Sequence, residues 1–168
     1  MRMVSGWVAC SLDQGLRDGR GLFMNFDTPG LILHVEDERP VREALSMLLR
    51  SGGYAVTSAT GGTEALELAS RGLHPDVLIV DFNLHEQMNG AEVAEKVRRA
   101  LGYTPPVIML TGDLGNAEFP CIVEVPVWLT HKPLNPELLL AALPGLVQLS
   151  RATRKLLTRS AGRAVSAG

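Results

Sequence analysis

A chain of 168 residues with 46% hydrophobic and 20% charged side chains has the length for one domain with a buried core and short appendages. Its net charge of −2 and pI near 6.1 exclude a general pull toward nucleic acid or an anionic membrane. No run reaches the ~18–20 apolar residues of a membrane span, and two distant cysteines, Cys10 and Cys121, exclude a disulfide framework or a cysteine metal knot.

Residues 1–29 mix Gly, Asp and Arg without helical or strand period and are expected to form an irregular N-terminal arm or linker, ending at Thr28-Pro29-Gly30. From Leu31 onward strand and helix patterns alternate. LILHV is a short apolar run of buried-strand type, and Glu38 to Ser51 carries a helical face of Val41, Ala44, Leu45, Leu48 and Leu49. Gly52-Gly53 ends that helix, because glycine reaches positive φ without steric cost. YAVTSA is a second strand and Gly62 to Arg71 a second helix. DVLIV after Pro75 is the third strand, and Asn89 caps a helix over Gly90 to Leu101. VIML after Pro105-Pro106 and VPVWLT are the fourth and fifth strands. Asn135-Pro136-Glu137 combines a cap, a proline at the first helical position and an acid in the first turn, which starts the last helix.

Such alternation predicts a parallel sheet with helices on both faces, and strands as apolar as DVLIV and VIML fit burial on both sides. Two places break the rhythm. Between Asp113 and Pro126, Pro120 and the β-branched Ile122, Val123 and Val125 argue for a fourth helix that is short, displaced or absent. Pro144-Gly145 is expected to kink or stop the last helix. Beyond it, residues 144–168 carry Arg151, Arg154, Lys155, Arg159 and Arg163 with no acid, the composition of a solvated, fraying basic tail. Leu146, Val147, Leu149, Leu156 and Leu157 offer the competing reading of a partner-binding or dimer-forming helix.

Polar residues stand where these strands end: Glu36-Asp37 after LILHV, Asp81 after VLIV, Thr111-Gly112 after VIML, and Lys132-Pro133 after VWLTH. The carboxyl ends of the strands form the ligand crevice of an open parallel sheet. Two unit charges ~4 Å apart repel by about 4 kcal/mol at an effective dielectric near 20. Three carboxylates there must take up protons or hold a cation, and hard oxygen ligands suit Mg2+. Lys132 adds a compact positive charge and Thr111 a hydroxyl, a set suited to a phosphoryl group. Gly112 leaves room beside them. Asp81 ends the central strand and is the candidate nucleophile for an aspartyl phosphate. Among the histidines, His34 is expected to be a satisfied core residue, and His74 and His85 plain loop residues.

The set VEDE, VDFNL, LTGD and HKP resembles a response-regulator receiver domain of two-component signalling over about residues 31–143. LTGD, HKP and the long loop FNLHEQMNG are most similar to receivers appended to hybrid histidine kinases. The resemblance implies a flavodoxin-like, doubly wound five-stranded sheet of order 2-1-3-4-5 over residues 30–143. It implies that Asp81 is the phosphoacceptor and that Glu36, Asp37, Asp81 and the backbone carbonyl of Asn83 hold Mg2+. It further implies that Thr111 is the switch hydroxyl, that Lys132 contacts the phosphoryl group, and that Pro133 follows it through a cis peptide. Asn83 and Asp113 match positions that tune loss of the phosphoryl group. Leu129 departs from the family's Tyr or Phe, and Trp128 has the wrong strand parity to replace it.

These residues point to a phosphoacceptor receiver, cytoplasmic and not an enzyme with an external substrate. Its phosphoryl donor would be a histidine kinase or a histidine phosphotransfer protein. Its output would be contact with another protein, with homodimerisation open and neither direct DNA binding nor membrane contact expected. The alternative is a degenerate receiver kept as a phosphorylation-independent binding module. An aspartyl-phosphate type phosphatase is weaker, because Asn83 stands two after Asp81 where such enzymes place a second acid.

Overall fold

The computed structural model describes residues 29–85, 88–112 and 127–165. Its elements in chain order are β1 (Leu31–Val35), α1 (Arg39–Ser51), β2 (Ala55–Ala59), α2 (Gly62–Ser70), β3 (Val77–Asp81), α3 (Gly90–Leu101), β4 (Val107–Thr111), β5 (Val127–His131) and α4 (Pro136–Val165). All strand pairs are parallel and the order is β2-β1-β3-β4-β5, the flavodoxin-like arrangement that the sequence implied.

Side chains of a strand point alternately to its two faces, so each strand divides its apolar residues between two cores. Leu33, Val35, Leu78, Val80, Val107 and Met109 pack with Ala65 and Ala69 of α2 and Val93, Ala94 and Val97 of α3. Ile32, Val77, Ile79, Ile108 and Leu110 pack on the other side with Leu45 and Leu49 of α1 and Leu139, Leu143, Leu146 and Val147 of α4. Burial on both faces is why β3 and β4 consist of fully buried residues throughout.

The helix ends follow their local chemistry. Asn89 Oδ1 accepts the Glu92 N–H at 3.0 Å while the Glu92 carboxylate accepts the Asn89 N–H at 3.0 Å, a reciprocal cap that starts α3. Asn135 Oδ1 accepts the N–H groups of Glu137 and Leu138 and starts α4. Gly53, with φ of 86°, turns the chain from α1 into β2.

Two expectations about the C-terminal part need correction. The last helix does not stop at Pro144, but continues through it to Val165. A proline inside a helix costs about 3 kcal/mol, and packing on both sides of it compensates: Leu143, Leu146 and Val147 are buried in the sheet core. Leu146 and Val147 are therefore core residues, not a partner-facing surface, whereas Leu149, Leu156 and Leu157 are exposed. Nor is the basic stretch simply solvated. Arg151 and Arg154 both pair with the buried carboxylate of Asp76, which also accepts the Leu31 N–H at 3.0 Å. Arg154 lies over the Tyr103 ring, 5.1 Å from its centre. Gly30 allows α4 its close approach, since a Cβ there would fall 2.7 Å from Val147 Cγ2. The expected irregularity of a helix between Asp113 and Pro126 lies outside the described residues, as do the N-terminal arm up to Thr28 and the tuning position Asp113.

Candidate functional site

Sheet register brings the strand-end residues together. Val35 pairs with Val80, Asp81 with Leu110 and Thr111 with His131, so Glu36, Asp81, Thr111 and Lys132 follow one another across the same edge of the sheet. The backbone N–H of Lys132 donates to the Thr111 carbonyl at 2.9 Å and carries the alignment one residue past β5. The peptide bond between Lys132 and Pro133 is cis.

Lys132 Nζ sits between two carboxylates, 2.8 Å from Asp81 Oδ2 and 3.1 Å from Glu36 Oε2. Glu36 is fully buried, as is Thr111, and Asp81 is 3% exposed. Burial and the neighbouring Asp81 charge push the Glu36 carboxyl above its ordinary range, against the pull of Lys132. Burial opposes the Lys132 ammonium too, but its bonds to Asp81 and Glu36 outweigh that and raise it. One ammonium thus serves two buried acids.

Asp37 completes the cluster: one carboxylate oxygen each of Glu36, Asp37 and Asp81 lie within 4.8 Å of one another. Asp37 Oδ2 accepts the His85 N–H at 3.2 Å and faces His85 Nδ1 at 2.5 Å. Burial pushes the Asp37 carboxyl up, yet the His85 bonds prevail and hold it below the usual range. Asp37 Oδ1 is buried with no hydrogen-bond partner. Three clustered carboxylates, two of them sharing one ammonium and the third with a buried oxygen unpaired, fit a hard divalent cation held by oxygen ligands. Asn83, the expected source of a carbonyl ligand, places its backbone N–H 3.2 Å from Asp81 Oδ1.

Three contributors to the site were not recognised in the sequence. Arg42 Nη1 donates to the carbonyls of Glu36 at 2.8 Å and Asp37 at 3.0 Å, pinning the turn that carries both acids. Gly90 lies under the nucleophile candidate: a Cβ there would fall 2.1 Å from the Asp81 carbonyl oxygen, so only glycine fits. His85 is a loop residue as expected, but it also grips Asp37. Glycine at a helix start after a long loop is the one signal that the sequence carried for any of the three.

His34 differs from its expectation. It is fully buried, its Nδ1 lies 3.5 Å from Ser46 Oγ, and its Nε2 has no hydrogen-bond partner. Desolvation, with the charges of Arg42 and Lys132, lowers its pKa to about 4, so the ring stays neutral near pH 7. On the edge strand β5, Trp128 and Leu129 are both exposed, at 42% and 40%; parity does not turn either one inward.

A five-stranded, doubly wound parallel sheet with acids and a lysine gathered at its strand ends defines a flavodoxin-like α/β fold. The family model of the response regulator receiver domain matches residues 32–143, and the chain belongs to that family. A chemotaxis protein CheY homolog of Campylobacter jejuni is 35% identical over 111 residues, covering 64% of this chain and 85% of that protein. The response regulator MprA of Mycobacterium leprae is 40% identical over 80 residues, 48% of this chain. That alignment spans only 34% of MprA, about a third of its length. Among solved structures, CheY4 of Vibrio cholerae superposes with a TM-score of 0.60 at 32% identity, covering 71% of this chain and 99% of that one. The receiver domain of the hybrid histidine kinase CckA gives 0.59 at 32% identity, with coverages of 70% and 99%. The chain is thus similar both to chemotaxis proteins and to the receiver domain of a hybrid histidine kinase. Among the described residues no helix is long and apolar enough to cross a membrane.

Proposed function

We propose that this receiver accepts a phosphoryl group on Asp81 from a phosphohistidine of a histidine kinase or a histidine phosphotransfer protein. The observation that carries the reading is the seat of Lys132 Nζ between Asp81 Oδ2 and Glu36 Oε2. An Asp81 carboxylate oxygen attacks phosphorus, a P–O bond forms as the P–N bond breaks, and the imidazole leaves with the electron pair and takes up a proton. Lys132 orients the Asp81 carboxylate and faces the charge that builds on the transferring group. Thr111, at the buried end of the neighbouring strand, offers its hydroxyl to a phosphoryl oxygen. Mg2+, held by Glu36, Asp37, Asp81 and the Asn83 carbonyl, would neutralise phosphoryl oxygens when bound. Hydrolysis reverses the gain: water attacks phosphorus, the P–O bond to Asp81 breaks and inorganic phosphate leaves, with Asn83 the residue that would orient that water.

In this reading residues 30–143 are the receiver and the phosphoryl group shifts a population of conformers around Thr111 and Lys132. The signal leaves through protein contact in the cytoplasm. The chain catalyses its own phosphorylation and dephosphorylation and turns over no external metabolite.

Phosphoramidate, whose P–N bond imitates phosphohistidine, tests the proposal in the presence of Mg2+. Borohydride reduction followed by peptide mass spectrometry is expected to find the label at Asp81. Label on a histidine, or none, would sink it. The exposed Trp128 and Leu129, with Leu in place of an aromatic switch residue, favour one second reading, a binding module indifferent to phosphorylation. Such a module would bind its partner equally well after Asp81→Asn and in chelator.

A further inference from the structure

His85 stands four residues after Asp81 in the loop from β3 to α3, 48 positions from Asp37 in sequence. Its side chain is 79% exposed, so it contributes little to the core. Two donors of this one residue, the backbone N–H at 3.2 Å and the imidazole Nδ1 at 2.5 Å, converge on the same oxygen, Asp37 Oδ2. A carboxylate oxygen has two lone-pair sites, and both are then used. The other oxygen, Oδ1, is buried and has no hydrogen-bond partner. His85 therefore sorts the two oxygens, occupying one and leaving the other for a cation.

We propose that His85 is a positioning residue for divalent-cation binding. It fixes the rotation of the Asp37 carboxylate so that Oδ1 is presented together with the oxygens of Glu36 and Asp81. The inference rests on the reading of Asp37 as a metal ligand. Outer groups that hydrogen-bond a ligating carboxylate set its orientation, and their loss weakens metal binding even though they never touch the ion. The Nδ1 hydrogen is the one that matters here, leaving Nε2 to solvent. The loop after the phosphoacceptor strand is thereby tied to the acidic turn after β1.

Titration calorimetry with Mg2+ alone, on the full unphosphorylated chain, tests this with His85→Ala and His85→Asn. Alanine keeps the backbone N–H and loses the side-chain donor. Asparagine restores a donor, because its amide nitrogen stands at the same bond distance from Cβ as imidazole Nδ1. The expected result is an Mg2+ dissociation constant about tenfold weaker in His85→Ala, recovered for the most part in His85→Asn, with unchanged thermal unfolding in the absence of metal. Equal or tighter Mg2+ binding by His85→Ala would overturn the inference and leave the metal site standing. Equal weakening by both variants, or a matching fall in metal-free stability, would also overturn it by assigning His85 a steric or structural role. Absence of Mg2+ binding by the wild type would overturn the metal reading itself, and this inference with it.

Discussion

Lys132 and Asp81 are 51 residues apart in sequence, yet Lys132 Nζ lies 2.8 Å from Asp81 Oδ2 across a strand end. The same ammonium lies 3.1 Å from buried Glu36. This single cation makes the acidic crevice tolerable in the folded chain and aims the nucleophile candidate.

Removal of the ammonium, as in Lys132→Met, leaves two buried carboxylates facing each other. Loss of one such electrostatic group slows a charge-developing step by roughly 100-fold or more, so labelling of Asp81 should fall by at least that factor. Stability should fall by about 1–3 kcal/mol, less than the 3–5 of a fully buried pair, because part of the Lys132 side chain reaches solvent. Labelling rates and urea unfolding check both. Wild-type labelling in the variant would remove Lys132 from the proposed chemistry.

Gly90→Ala places a methyl group 2.1 Å from the Asp81 carbonyl oxygen. Backbone stands on both sides of that contact, so relief requires α3 or the end of β3 to move. Overpacking of this kind costs roughly 1–3 kcal/mol. Thermal unfolding should show the loss, with slower labelling of Asp81. A variant as stable as wild type would mean that the helix start yields freely.

Asp76→Asn removes the charge that holds Arg151 and Arg154 against the base of the sheet. The arginines reach solvent and relax, so the cost should be about 2 kcal/mol, below that of a fully buried pair. Hydrogen exchange should accelerate first in α4 beyond Pro144. Unchanged protection there would show that apolar packing alone holds the extension.

Acid should weaken the fold through His34. Its folded pKa of about 4 lies below the unfolded value near 6.5 because the buried ring resists protonation. The stabilisation it contributes is fully present above pH 6.5 and is lost as pH falls toward 4. By linkage the difference between the two states reaches roughly 3 kcal/mol across that window. His34→Leu should flatten the stability profile between pH 6.5 and 4 relative to wild type. Parallel profiles would contradict the assignment.

The sheet and the polar residues gathered at its edge were legible because each relevant signal is local. VLIV and VIML are apolar throughout, as burial on both faces requires, and Asp81 and Thr111 break the runs where the strands end. The caps Asn89 and Asn135 start their helices from side chains within reach of the first turn. What escaped depends on distance in sequence. Pro144 reads as a kink or a stop until Leu143, Leu146 and Val147 are seen to pack on the sheet around it. Helical period alone could not say which of the leucines from Leu146 onward face inward. Asp76 reads as the lead-in to a strand, and its partners Arg151 and Arg154 lie more than seventy residues on. The grip of His85 on Asp37 and the approach of Gly90 to Asp81 are tertiary facts of the same kind.

Intact-mass analysis after incubation with a small phosphodonor and Mg2+, with Asp81→Asn alongside, tests the central claim most directly. The expected result is one phosphoryl group on the wild type, none on Asp81→Asn, and none on the wild type in excess chelator. An unlabelled wild type, under conditions where another receiver domain labels, would contradict the phosphoacceptor account.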